Sequence, residues 1–351
     1  MSGTSTSLGT CVATLLLTCG LAWTIDAAQP SVEQSRLEEP KLFLFVNVEQ
    51  LRESASADAD ESRRAFETML DDLSRMLGAD MRVVQRMAYC LYPQGNVAIF
   101  RYGDQWNYDD WAAKLVQSGA EPKTFGETTY FALSNAAIFV WHDRSSRIAL
   151  WATDESLLQQ WTQKADAADA DRFDPQSLAR RHGADVSAGL FASATTPFTE
   201  DVRRILAYQF DGKTDDKALS DAGSGLRRII VQFCPTENVP LNLQFVAASE
   251  REAEMWRGKL DALVVTFRGS VKDALAQSQD ELDPIVRSEW QRRLLARLIV
   301  NIQVERVGTT AKMLVRSEGG LPRLFELCVL EVVRAGERAV HTFEEVSEQL
   351  K

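Results

Sequence analysis

Imidazoles and thiols are scarce here: 351 residues carry three histidines and five cysteines. His142, His182 and His341 stand at no metal-ligand spacing from one another or from a cysteine, and no HExxH pair occurs. The sequence also lacks a Gly-x-Ser-x-Gly elbow, a Walker loop and a Gly-x-Gly-x-x-Gly fingerprint. The glycine cluster Gly223-Ser224-Gly225 follows a polar loop rather than a strand, so it reads as a flexible connection. The Asp/Ala runs at 57–61 and 165–171 lack the glycine and closing glutamate of a calcium loop. No metal and no cofactor is therefore expected.

Positive charge is short as well. Lys and Arg number 39 against 50 Asp and Glu, a net charge of −11, and no dense basic stripe occurs. Such a chain is a poor match to a nucleic-acid backbone or to an anionic membrane surface. No Lys or Arg precedes Arg36, although Cys11–Ile25 is an apolar run of signal-peptide length, too short to span a bilayer comfortably. Residues 1–28 read as a signal peptide, with small-residue cleavage at Ala27 or Ala28, and 29–40 as a linker. The missing positive n-region leaves two alternatives, a misassigned start or a segment retained as a weak N-terminal anchor. Cys19 sits in a lipoprotein-like box, Leu16-Leu17-Thr18-Cys19, in which Thr18 is a poor fit. The expected address is secreted or periplasmic, with no transmembrane span beyond such an anchor. Outside the leader, Cys90, Cys234 and Cys328 have apolar flanks and no mutual spacing, which describes buried thiols.

What the chain does have is apolar material in short runs, within a composition 45% hydrophobic and 25% charged. That is the balance of a globular protein. Ala136–Trp141 and Ile148–Ala152, joined by Asp143, Ser145 and Ser146, form a hairpin pattern. Thr153 or Asp154 caps a following helix that turns Leu157, Leu158 and Trp161 to one side. The same order returns at Arg228–Cys234, Leu241–Ala247 and a Ser249/Glu252 capping box leading into Ala253, Trp256, Leu260, Leu263 and Phe267. A tandem duplication is the reading. Further strands are expected at Leu42–Val48, Val83–Tyr92, Asn96–Tyr102 and Thr128–Leu133, with helices over Phe66–Leu77 and Asn107–Gln117.

The fold expected is α+β, in two tandem modules, each a mostly antiparallel sheet of hairpins packed by amphipathic helices. The modules run 41–164 and 184–336, separated by an Ala/Asp-rich linker at 165–183 and followed by a tail at 337–351. In the second, a helix is expected from Thr196-Pro197 to Ile205 and a mobile polar loop over Asp211–Gly225. A helix over Asp283–Ile299 and a hairpin around Gly308 follow. A last amphipathic helix carries Leu321, Leu324, Phe325, Cys328 and Val332.

Met81–Tyr102, Tyr130-Phe131, the hairpin after it and Asp154–Trp161 together resemble uncharacterised secreted proteins of planctomycete-type bacteria. The resemblance is one of pattern, close over Leu42–Lys164 and looser beyond. It implies envelope or extracellular residence and a tandem α+β build, and it carries over no catalytic residue.

Gly103–Trp111, GDQWNYDDW, is the most unusual local composition. Trp106 and Tyr108 with Asp104 and Asn107 suit a binding platform, since aromatic faces take the apolar side of a sugar or peptide while Asp and Asn read its polar groups. The same stretch also suits a plain helix start, with Asn107 or Asp109 as cap, Trp111 in the core and Trp106 as a staple. His142, beside Trp141 and Asp143, is the histidine best placed for chemistry. The function expected is non-enzymatic: an exported binding or structural component whose partner is a protein or an envelope component. The alternatives are a hydrolase of cell-surface material using scattered carboxylates and His142, and a carrier of an apolar ligand.

Overall fold

The structure, a computed structural model, describes residues 39–55, 67, 70–71, 74, 80–117, 119–133, 138–163, 173–185, 187–198, 200–212, 215–234, 236–276 and 289–318. The leader, most of the helix expected over 66–77, the final helix and the tail lie outside these residues. The protein is α+β; the described residues form twelve strands, and those paired within each body run antiparallel. It divides into two compact bodies, and the chain passes from one to the other for the last time between Thr195 and Thr196.

The first body orders its strands β8-β1-β2-β3-β7-β6-β5-β4. These are β1 (Leu42–Asn47), β2 (Val84–Tyr92), β3 (Gly95–Tyr102), β4 (Glu121–Phe125), β5 (Thr128–Leu133), β6 (Ile138–Asp143), β7 (Ile148–Ala152) and β8 (Leu190–Thr195). Leu42 through Phe45 and all of β7 are buried, so both sides of these strands are covered. That is why their sequences run apolar without alternating. The helix Glu155–Gln163 packs on β6 and β7, its own hairpin, and on β3. Asp154 is its cap, its carboxylate accepting from Leu157 N–H at 2.8 Å. Thr153 does something else: its hydroxyl accepts from Asn96 N–H at 2.9 Å and pins the β2–β3 turn.

Two elements of this body escape the sequence pattern. β4 reads EPKTF, polar and with a proline, and among the described residues it is the edge of its body, paired with β5. Edge strands tolerate proline and charge because nothing hydrogen-bonds to their outer side. Within the stretch expected to be a linker at 165–183, Pro175–Arg181 is a helix packed on β1, β2 and β3. Asp174 caps it by accepting from Ser177 N–H at 3.0 Å, and also accepts from Arg101 at 2.8 Å. His182, at its C-terminal end, stacks on Phe43 with ring centroids 4.1 Å apart. Asp-Pro is a helix-start signal, but the Ala/Asp composition just upstream conceals it. β8, within the stretch 184–336 assigned to the second module, pairs with β1, Phe191 opposite Phe45.

The second body orders its strands β11-β12-β10-β9, where β9 is Leu226–Phe233, β10 Leu241–Ala247, β11 Ile302–Val307 and β12 Thr310–Val315. β10 alternates strictly, with Leu241, Leu243, Phe245 and Ala247 buried. The 27-residue helix Glu250–Ala276 packs on β10, β11 and β12, and the helix Glu289–Asn301 packs on it in turn. Ser249 and Glu252 cap the long helix, though not as a reciprocal box. Ser249 Oγ accepts from Glu252 N–H at 3.3 Å and donates to the Glu252 carboxylate at 2.9 Å. Trp256 is 1% exposed, with Phe245 stacked 5.1 Å away and Phe210 edge-on at 5.3 Å.

The stretch expected to be a mobile loop from 211 to 225 contains a helix, Asp216–Asp221, capped by Asp215 through Ala218 N–H at 2.8 Å. Gly223 and Gly225 end it in the left-handed region. A Cβ at Gly225 would come within 2.4 Å of the Glu252 carboxylate, so this glycine cluster is a packed turn rather than a flexible connection. Cys90 and Cys234 are both buried free thiols, and burial pushes the Cys90 thiol up to about 12. Cys328 is outside the described residues. Among the described residues no helix is long and apolar enough to cross a membrane.

Candidate functional site

The four platform residues of the sequence reading, and His142 from 34 residues or more further along the chain, lie in one place in the first body. β3 ends at Tyr102, and Gly103 turns the chain, its N–H bonded to Val83 and its carbonyl accepting from Trp106 N–H at 3.1 Å. This turn lays Trp106 on Tyr102, ring centroids 4.7 Å apart and planes 8° from parallel. The helix Tyr108–Gln117 starts immediately after. Asn107 is its cap, accepting from Asp109 N–H at 3.1 Å and donating to the Asp110 carboxylate at 2.8 Å.

The helix start then puts Tyr108 and Trp111 against β5 and β6. Tyr108 stacks on His142 at 4.4 Å and meets Trp106 edge-on at 5.9 Å. Trp111 contacts Trp106, His142 and Phe131 at 5.7 to 6.4 Å, mostly edge to face, the arrangement ring quadrupoles prefer. Arg144, from the hairpin turn, holds its guanidinium over the Tyr108 ring at 5.0 Å and pairs with Asp109 at 3.2 Å. Trp111 is buried, Trp106, Tyr108 and His142 are half-buried, and Asp104, Asn107, Asp109 and Arg144 are exposed.

The two readings of this stretch therefore both have their elements in the structure. Asn107 is spent on the cap, and the Asp104 carboxylate accepts from Arg147, whose backbone is left-handed at φ 55°. Trp106 and Tyr108 remain as half-open aromatic surface with a polar rim of Asp109 and Arg144. Sequence reasoning placed Trp111 in the core and overlooked Tyr102, Phe131 and Arg144 as neighbours of the platform. Only Arg144 left a signal, two residues from His142 on the same hairpin.

Among the described residues the buried Nδ1 atom of His142 has no hydrogen-bond partner, and neither has Nε1 of Trp106. Asp143, next in sequence, does not serve the imidazole. Its carboxylate accepts from Ser145 Oγ and Ser146 Oγ, both at 2.7 Å. Burial raises the Asp143 pKa, but these hydrogen bonds outweigh it and hold the carboxyl below its usual range. Burial is also the largest influence on His142. It lowers the pKa, Asp143 opposes it and Arg144 adds to it. Burial raises the Tyr108 phenol, with Arg144 lowering it and Asp109 raising it. Among the described residues no group of three or more His, Cys, Asp or Glu is placed to hold a metal ion.

A neutral imidazole held in this cluster links stability to pH. Its native pKa lies below the unfolded value of about 6.5, so as pH falls through that value the unfolded chain binds the proton first and stability drops. Native protein should therefore lose stability between pH 7.5 and 5.5 more steeply than His142→Gln. Urea midpoints of the two at both pH values measure this, and equal slopes would mean that His142 is not depressed.

No protein-family model matches the chain, and no curated protein matches its sequence. Solved structures similar to it include TP0453 in crystal forms I, III and IV, at TM-scores of 0.36 to 0.38 and 6–7% identity. These alignments cover 83–84% of this chain and 93–94% of TP0453. At that level the likeness assigns neither a fold family nor a function.

Proposed function

We propose that this chain is an exported, non-enzymatic binding protein of the envelope or extracellular space, and that Trp106 and Tyr108 form its contact surface. The observation that carries the reading is the convergence of Trp106, Tyr108, Trp111 and His142 on one half-open aromatic surface rimmed by Arg144 and Asp109. A surface of this kind takes the apolar side of a sugar ring or a peptide side chain while the rim hydrogen-bonds its polar groups. The apolar leader at Cys11–Ile25 supports export. A hydrolase built on His142 finds less support, because a general base needs an orienting partner. Here Nδ1 has none among the described residues, and Asp143 is engaged by two serines.

The experiment is a calorimetric titration of the full chain with β-linked oligosaccharides and with short peptides, repeated on Tyr108→Leu and on Trp106→Ala/Tyr108→Ala. Either ligand class should bind the native chain, and the double variant should bind at least about tenfold more weakly, about 1.4 kcal/mol. Melting curves and far-UV circular dichroism identify any variant that has lost its fold. Unchanged affinity in a folded variant would remove these residues from the contact surface.

A further inference from the structure

The outward side of the Glu250–Ala276 helix is unlike the outside of an ordinary surface helix. Met255, Gly258, Ala262, Val265 and Gly269 follow one another at intervals of three and four residues, the spacing of a seam, and all five are exposed. Met255 is 46% and Val265 67% exposed, among the largest apolar exposures in the described protein. The seam extends about 21 Å at 1.5 Å per residue.

The two glycines sharpen the point. Both have ordinary helical backbones, and a Cβ built at Gly258 or Gly269 meets nothing within 4 Å. Among the described residues neither glycine serves a turn or a packing contact, yet each costs helix stability relative to alanine. Glycine on an exposed helix face makes physical sense where another backbone comes close.

We infer that this face is a self-association surface, where the helix pairs antiparallel with the same helix of a second copy about a two-fold axis at Ala262. The occupant is argued from self-complementarity. Turning the helix about Ala262 sets Met255, the largest side chain of the seam, against the partner's Gly269. It sets Val265 beside the partner's Gly258 and brings Ala262 against its own counterpart. The ends match in charge: exposed Arg251 falls opposite the partner's Asp273, and Lys272 opposite the partner's Glu252. A two-fold contact doubles each of these pairs. One helix pair is at the small end of stable interfaces, so the dimer is a micromolar one.

Sedimentation equilibrium of the full chain from about 1 to 200 µM tests the inference, with a monomer–dimer equilibrium in the micromolar range expected. Ala262→Arg should abolish the dimer while leaving the circular dichroism unchanged. Gly258→Ala/Gly269→Ala should act in opposite directions, raising the melting temperature of the monomer and weakening association at least tenfold. Arg251→Asp should weaken the dimer, and Arg251→Asp/Asp273→Arg should restore it. A chain that stays monomeric at 200 µM, or a dimer indifferent to Ala262→Arg, overturns the proposal. So does a monomer that instead binds uncharged phosphatidylcholine vesicles through the same residues.

Discussion

Trp256→Ala should cost the second body about 3–5 kcal/mol, the range for emptying a large aromatic site in a packed core. Trp256 is 1% exposed, stacked on Phe245 and met edge-on by Phe210. Lys259 lies 4.8 Å over its ring and pairs with Asp211 at 3.2 Å, so the indole also ties the long helix to the Ala207–Asp211 turn. Among the described residues the indole N–H has no hydrogen-bond partner. Trp256→Phe therefore loses volume without stranding an acceptor, and should cost about half as much or less. Amide hydrogen exchange in β9, β10 and β12, compared across native protein and both variants, reads the effect directly. A loss below about 1 kcal/mol in Trp256→Ala would mean that the ring cluster is not the core of this body.

The second large effect belongs to Arg268. From the far end of the same helix its guanidinium donates to the Ile299 and Ile302 carbonyls, both at 2.8 Å. These carbonyls flank the point where the helix Glu289–Asn301 ends and β11 begins, where helix acceptors lack internal donors. Hydrogen bonds from a charged donor contribute about 1.5–3 kcal/mol each. Arg268→Leu should lower stability by about 2–4 kcal/mol, and Arg268→Lys, a point charge unable to span both carbonyls, should recover only part. Urea midpoints of the three proteins measure it. Equal midpoints for Lys and Arg would show that charge alone matters there and the forked geometry does not.

Neither Trp256 nor Arg268 is equally visible in the sequence, and the contrast explains what was legible. Trp256 announces itself through its spacing with Ala253, Leu260 and Phe267, all of which are buried. Hairpins were legible for the same reason: Ile148–Ala152, Leu241–Ala247 and the turn at Gly308 are local patterns of apolar runs and turn formers. Arg268 makes contacts 31 and 34 residues away, and no local rule points to them. β4 stayed hidden because an edge strand need not be apolar, and Pro175–Arg181 because its few residues show no periodicity. At the candidate site the composition of Gly103–Trp111 drew attention to Trp106 and Tyr108. Their union with His142 depends on β6 lying beside the helix start, which only the folded chain reveals.

The pairing of β1 has a consequence for how the protein is made. Leu42–Asn47 bonds on one side to Arg86–Leu91 and on the other to Leu190–Ala194. While the ribosome is still adding residues, β1 gains its first neighbour early and keeps one side bare for roughly a hundred residues more, about five to twenty seconds of synthesis. If the chain passes through a translocon, that bare side is what a holding chaperone would meet. A fragment cut at residue 183 would leave that side of β1 bare permanently, whereas one cut after Thr195 would cover it with β8.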